Sequence, residues 1–598
     1  MCGIAIQIAC EGAFARPLNL DQIHHRGPDS QGEWYSPDRR VWFGHTRLAI
    51  LDLSPAGHQP MVDLKSGVIL VFNGEIYNHQ EIRKEVGDYP WKGSSDTETL
   101  LVAYQKWGEK LFAKLNGMFA IAFYEPETGD VLLARDPCGI KPLYLREVKK
   151  GVWNVTSEWR ALYPEGKKSI NSLQVSAYLR YGHFPEEVLP GVATQTVAAG
   201  STIRIRKNGS LVFNTYCESQ EWAEDPLTYQ EATGAIRQSI EKAVQRHLLS
   251  DVPVASFLSG GIDSTIVSIL ASRESTRKLQ TITVSFRGSH LDESSYAQKI
   301  SSLIGSQHEE INLVSEQIFP SIFQALEGMD LPSVDGMNTF LVCQKAAQIG
   351  TKVALSGLGG DEYFGGYPIF EQIFWLKWIR DHLPCNLLGD ILPSKLGGDR
   401  WKEIPQKGDA SLIEWRRRKW SNELLNTMGF PIYSSPVKER EIDLFHLTSM
   451  IESENYMRSM LLRDSDQMSM AHSLELRVPL LDREVLNVTR RIHGQIYRDE
   501  GFPKGLLIKA FHDLLPPEVY QRPKMGFVLP MLEWMKGPLE AVVREGIAEA
   551  KNRLNLADYA LVKMQKDTNS EKLHWTRLWS LVVLGHWMKK NQVELRNS

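Results

Sequence analysis

Cysteine is scarce in this chain of 598 residues: Cys2, Cys10, Cys138, Cys217, Cys343 and Cys385 are the only six, with no Cys-x-x-Cys pair and no Cys/His ligand spacing. That excludes a disulfide scaffold and a structural zinc site, and it fits a reducing, cytoplasmic compartment. Positive charge is not in excess either. Lys plus Arg number 68 against 72 for Asp plus Glu, a formal net charge of −4, so nucleic acid is not expected as a partner. Long hydrophobic runs are missing too: the most apolar late stretch, Leu578 to Leu584, falls far short of the roughly 20 residues that span a bilayer. The apolar opening has no basic region before it and is broken at Glu11, so it reads as a strand rather than a signal peptide. Repeats and low-complexity tracts are absent. What remains is ordinary globular composition, 42% hydrophobic and 23% charged with 45 Gly and 29 Pro, long enough for roughly two to four domains.

Up to about Tyr216 the sequence reads as short β runs, such as Val68 to Phe72 and Met118 to Phe123, divided by Gly, Pro, Asn and Asp. From Thr228 the period changes. Ile236, Ile240, Ala243, Val244 and Leu248 fall on one helical face, after which β runs alternate with helices and give way to a mostly helical tail. Cys217 to Pro226 is polar, acidic and turn-prone, as a linker would be. The expected organisation is a largely β unit at 2–216, a linker at 217–226, and an α/β unit with a helical C-terminal part at 227–598.

Cys2 is the first chemical signal. Loss of Met1 before so small a residue would leave a thiol and an α-amine on one residue, and a terminal amine with pKa about 7.7–8.0 can serve as base for its own nucleophile. Alone, a cysteine in that position reads equally as a small buried residue or a lipidation site. Downstream, however, come His25-Arg26-Gly27-Pro28-Asp29, Gly44-His45-Thr46-Arg47-Leu48, Phe72-Asn73-Gly74-Glu75-Ile76-Tyr77-Asn78 and Ser95-Asp96-Thr97-Glu98. These residues resemble the N-terminal-nucleophile glutaminase domain of class II glutamine amidotransferases, over essentially all of 2–210. Carboxamide hydrolysis needs an activated thiol and oxyanion donors, here the Asn73 side chain and the Gly74 N–H. Arg47 offers a fork for the α-carboxylate of glutamine, and Asp96 with Glu75 can receive its ammonium.

A second signal is Val252 to Ser264, an apolar run followed by Leu258-Ser259-Gly260-Gly261-Ile262-Asp263-Ser264 and a helix-like segment from Thr265. Strand, glycine loop and helix N-terminus together cradle a phosphate. The spacing is not that of the Walker loop; it resembles the SGGxDS loop of enzymes that cleave ATP to AMP and pyrophosphate. Val353 to Tyr367 repeats the arrangement, with Ser356-Gly357-Leu358-Gly359-Gly360-Asp361-Glu362 after a short apolar run. Asp263 and Asp361 are thus expected at strand carboxyl ends, where they could hold Mg²⁺ on pyrophosphate oxygens.

With Leu461 to Met470 and Glu475-Leu476-Arg477-Val478-Pro479, these segments resemble the synthetase domain of asparagine synthetase, and the two resemblances span nearly the whole chain. The fold implied is an Ntn-hydrolase-type sandwich followed by an α/β PP-loop domain. By position, Lys504 matches a phosphate-contacting lysine, Leu258 and Val284 adenine-side contacts, and Ser356 and Gly357 ribose- or base-side contacts. Glutamine, ATP with Mg²⁺ and a carboxylate acceptor are the implied partners, with no tightly bound organic cofactor and room for a homo-oligomer. Intact Cys2, Arg47, Asn73 and Asp96 argue against a cyclase with a dead glutaminase site, the SGGIDS loop argues against a phosphoribosyl amidotransferase, and both argue against a silent scaffold. One position departs from the pattern: the family carries a glutamate where this chain has Leu358. An apolar wall there suits a larger or less polar acceptor than aspartate, such as a uronic acid or a secondary metabolite, unless Glu362 takes over and aspartate remains the substrate.

Overall fold

The computed structural model describes residues 2–10, 14–163, 168–217, 226–285, 293–312, 315–384, 401–436, 439–522, 529–569 and 574–596. In the first half, strands buried on both faces explain why the β runs look continuously apolar rather than alternating. Along Cys2–Ala9, Ile4, Ile6 and Ile8 face one core while Ala5 faces another. Along Ile69–Ile76, Ile69 and Val71 point one way and Leu70 and Phe72 the other. Two six-stranded sheets result. Ile4, Ile6, Val71, Ala120, Leu133 and Val155 fill the space between them. Helices His79–Val86 and Asp96–Trp107 cover the outer face of one sheet through Ile82, Leu100 and Leu101.

The second half is built on a five-stranded parallel sheet in the spatial order Gln307–Asn312, Gln280–Ser285, Val254–Phe257, Val353–Leu355, Glu475–Arg477. The chain starts at Val254–Phe257, builds outward on one side, then returns to build on the other. Order therefore reverses between Val254–Phe257 and Val353–Leu355, and in such sheets the crevice outside the carboxyl ends at that point receives ligands. The expected helical face is present in Tyr229–His247, where Thr228 and Glu231 form a capping box and Ile236, Ile240, Ala243 and Val244 are buried.

The expected linker falls mostly on 218–225, outside the described residues. The apolar run Leu578 to Leu584 lies inside the helix Trp575–Asn591 and is wholly buried. No helix of the described residues is long and apolar enough to cross a membrane. The two halves share a core that sequence patterning does not reveal: Trp159, Tyr178 and Leu179 pack in one cluster with Ile322, Trp579 and Trp587. The terminal strand Val593–Leu595 also returns to pair in parallel with Lys168–Ile170.

Candidate active sites

In the first half, sheet register brings the site together. Cys2 sits opposite Arg47 on the neighbouring strand, and the Cys2 backbone nitrogen donates to Asn73 Oδ1 at 2.8 Å. Asn73 is fully buried and its Nδ2 has no hydrogen-bond partner among the described residues, a donor free to serve an oxyanion. Gly74 is required by close approach: a Cβ there would lie 2.0 Å from the Met118 carbonyl oxygen. The Arg47 guanidinium is anchored by the Ser54 and Asp52 carbonyls. Burial pushes the Cys2 thiol up, partly offset by the nearby N-terminus and Arg47.

Cys2, Arg47, Gly74, Glu75 and Asp96 line one small cavity of about 30 Å³, closed over by Leu48, Ile50, Leu51 and Gly57. Such a space is of the size that holds a water. Burial and the adjacent Asp96 push Glu75 well up, and burial pushes Asp96 up to about 6 although it accepts the Ile76 N–H at 3.0 Å. This acidic pair is poised to receive an ammonium.

The second half completes this site, which the sequence did not disclose. Arg477 donates to Glu75 Oε2 at 3.1 Å, to Glu475 Oε1 at 2.6 Å and to the carbonyls of His247 and Leu249. Arg26 holds the Cys2 carbonyl at 3.1 Å and pairs with Asp466 at 2.8 Å. Arg477 O in turn accepts from the Ser356 N–H at 2.8 Å, so two hydrogen bonds through Arg477 link Glu75 to the second loop system. The segment Glu475–Arg477 was conspicuous as a motif, but its bridging role depends on domain placement.

At the switch point of the parallel sheet, Leu258 to Gly261 leads into the helix Ile262–Glu274 and Ser356 to Gly359 leads into Gly360–Tyr363. Glycine permits the two loops to touch. A Cβ on Gly357 would lie 2.8 Å from Asp263 Cβ, and one on Gly360 2.4 Å from Asp263 Oδ1. Asp263 and Asp361 both converge on Lys504 Nζ, the latter at 2.7 Å. Ser264 bonds Ser259 Oγ at 3.0 Å, and Arg522, for which no sequence signal exists, holds the Gly260 carbonyl and Glu293.

Beside these loops opens a cavity of about 490 Å³ lined by Leu258, Ser259, Val284, Ser356, Leu358 and Asp361, among others. Gly260, Gly261, Asp263, Ser264, Gly357 and Lys504 flank it without lining it. Further wall comes from the Asp335–Thr339 segment and from one continuous helix, Leu444–Met470, whose middle section, 452–462, is wound as a π-helix. That helix contributes Tyr456, Leu461, Asp464 and Ser465. Leu358 also packs against Met457, Leu462 and Leu481, which fixes it as an apolar wall. Glu362 requires a correction as an acceptor-pocket residue: it does not line the cavity. It is 1% exposed, is pushed up to about 7 by burial and by Asp361, and accepts from Tyr367 OH at 2.8 Å. The short helix Gly360–Tyr363 turns it inward, and Tyr367 meets the cavity in its place.

Comparison with known proteins agrees with this geometry. The family model described as asparagine synthase matches residues 235–589, and one described as a glutamine amidotransferase domain matches residues 1–217. Asparagine synthetase (glutamine-hydrolyzing) 1 of Bacillus subtilis is 30% identical, over 98% of this chain and 95% of that protein. Asparagine synthetase B of Escherichia coli is 31% identical over 62% of this chain and 65% of its own length. Amidase chry2 of Gibberella zeae is 24% identical over 99% of this chain and 98% of its own. With a nucleophile-strand site in one half, a strand-end carboxylate pair in the other, and matches of this extent, the chain belongs to the asparagine synthetase family of glutamine-hydrolysing enzymes.

Proposed function

We propose that this chain is a cytoplasmic, glutamine-dependent, AMP-forming amide ligase whose units, 2–216 and 227–598, work in series. After removal of Met1, the Cys2 nitrogen is an α-amine oriented by Asn73 Oδ1, and it takes the thiol proton as the sulfur attacks the glutamine carboxamide. Asn73 Nδ2 and the Gly74 N–H stabilise the oxyanion, while Arg47 holds the α-carboxylate and Glu75 with Asp96 the ammonium. Ammonia leaves, and water releases glutamate from the Cys2 thioester. Ammonia then passes through the molecule to the second site.

There, ATP lies over the 258–264 loop with adenine against Leu258 and Val284. The acceptor carboxylate displaces pyrophosphate to give an acyl-adenylate, and ammonia displaces AMP to give the amide. The donor set fits Mg²⁺, which is ordinarily held by one or two carboxylates together with substrate phosphates. Asp263 and Asp361 would hold it, and it would offset charge on the departing pyrophosphate. Lys504, paired with both carboxylates, supplies a fixed positive charge for the same oxygens.

The observation that carries this reading is the meeting of Asp263, Asp361 and Lys504 at the switch point of the parallel sheet. Its test is the fate of ATP during glutamine-dependent turnover. AMP and pyrophosphate in equal amounts are expected, and ADP with phosphate contradicts it. L-aspartate is the acceptor that the family name implies. A second reading, a carboxylate other than aspartate, is favoured by Leu358 lining the cavity, and relatives named as amidases accord with it.

A further inference from the structure

Among the described residues Glu75 makes a single ion pair, and its partner comes from the other half of the chain: Arg477 Nη2 lies 3.1 Å from Glu75 Oε2, with both side chains buried. What the first half places near Glu75 is Asp96, a second buried carboxylate on the wall of the same small cavity. Burial and Asp96 push the Glu75 carboxyl up, and Arg477 opposes them. A buried acidic pair needs such an offset if it is to stay charged for an ammonium.

Arg477 is fixed from several sides. Its Nη1 donates to the His247 carbonyl at 2.7 Å and the Leu249 carbonyl at 2.6 Å, and its Nε to Glu475 Oε1 at 2.6 Å. His247 is the last residue of the Tyr229–His247 helix, and a helix C-terminus favours a cation. The main chain is held as well, because Glu475–Arg477 pairs in parallel with Val353–Leu355 and Arg477 O accepts from the Ser356 N–H. A planar fork can serve all these acceptors from one fixed base, which a lysine cannot.

Glu75, in turn, is gripped at one oxygen only. Oε2 accepts from Arg477, while Oε1 is buried without a hydrogen-bond partner among the described residues, on a side chain that lines the cavity with Cys2 and Arg47. A buried acceptor left unpaired costs free energy that an incoming donor recovers. We infer that Arg477 is a positioning residue of the glutamine site: by gripping Glu75 Oε2 from the second half, it presents Oε1 to the α-ammonium of the substrate and so makes the first half select carboxamides that carry an α-amine. The inference rests on the reading above in which Glu75 receives that ammonium. Arg477 does not itself line the cavity, so its effect falls on recognition rather than on bond breaking.

The test compares, in glutamate release by the whole enzyme, KM for glutamine with the inhibition constant of glutaramate, the same carboxamide acid without the α-amine. Arg477→Met should raise KM for glutamine about tenfold or more, as loss of a hydrogen bond to a charged group does, and leave the glutaramate constant within about threefold. Glu75→Gln should compress the discrimination in the same way, and adding Arg477→Met to it should cost little more, because both act through one contact. Arg477→Lys keeps the charge without the fork and should give an intermediate loss confined to glutamine; it carries the test if Arg477→Met does not fold. Equal weakening of both compounds, losses that add in the double variant, or unchanged discrimination would each overturn the inference and leave Arg477 a structural ion pair. A Glu75→Gln protein that discriminates as the wild type does would remove the Glu75 assignment, and the inference with it, while glutamine left unhydrolysed by the wild type would remove the glutaminase reading itself.

Discussion

Asn73 carries two duties with its two ends. Oδ1 accepts from the nitrogen of Cys2, and Nδ2, without a partner among the described residues, is the donor of the proposed oxyanion site. Removing one oxyanion donor costs about 10²–10³ in kcat, so Asn73→Ala is expected to lower glutamate release by at least that factor while amide synthesis from ammonium persists. A loss below tenfold would show that Gly74 alone suffices. Residue identity was readable here because Cys2, Arg47, Asn73 and Asp96 stand in short, specific motifs. Glu362 shows where that reading stops. A sequence gives the neighbour of Asp361 but not the direction of its side chain, and a four-residue helix decides that it faces Tyr367 rather than the cavity.

At the scale of elements, the two strand-end loops approach closely at the proposed nucleotide site. Gly360 leaves no room for a Cβ beside Asp263 Oδ1. Gly360→Ala should therefore displace Asp263 from Lys504 and reduce ammonia-dependent synthesis at least about tenfold, with glutaminase turnover retained. Equal loss of both activities would indicate general disruption instead. The strands, the loops and the Tyr229–His247 helix could be read from period and glycine placement. The wall formed by the π-wound section of Leu444–Met470 could not, because its polar and apolar residues are sorted by a cavity rather than by solvent. Arg477 is similar: a motif residue whose partners, Glu75 and the His247 and Leu249 carbonyls, are some 230 to 400 positions away.

At the scale of the whole molecule, the two halves share one core. Trp159, Tyr178, Trp579 and Trp587 share a core, and Trp587 Nε1 donates to the Asp330 carbonyl, whose side chain caps the Trp159 and Arg160 N–H groups. Burying large side chains across a boundary couples the stability of both sides. Trp587→Ala should cost about 3–5 kcal/mol and shift the denaturant midpoints of glutaminase and ligase activity together; separate shifts would mean that the halves unfold independently. The central claim is that glutamine hydrolysis at Cys2 feeds a separate AMP-forming site. It is tested most directly by following pyrophosphate and amide in the Cys2→Ala protein, with glutamine and then with ammonium as nitrogen source. The account predicts no amide from glutamine and amide with stoichiometric pyrophosphate from ammonium. Amide formed from glutamine without Cys2, or none from either source in a folded protein, would contradict it.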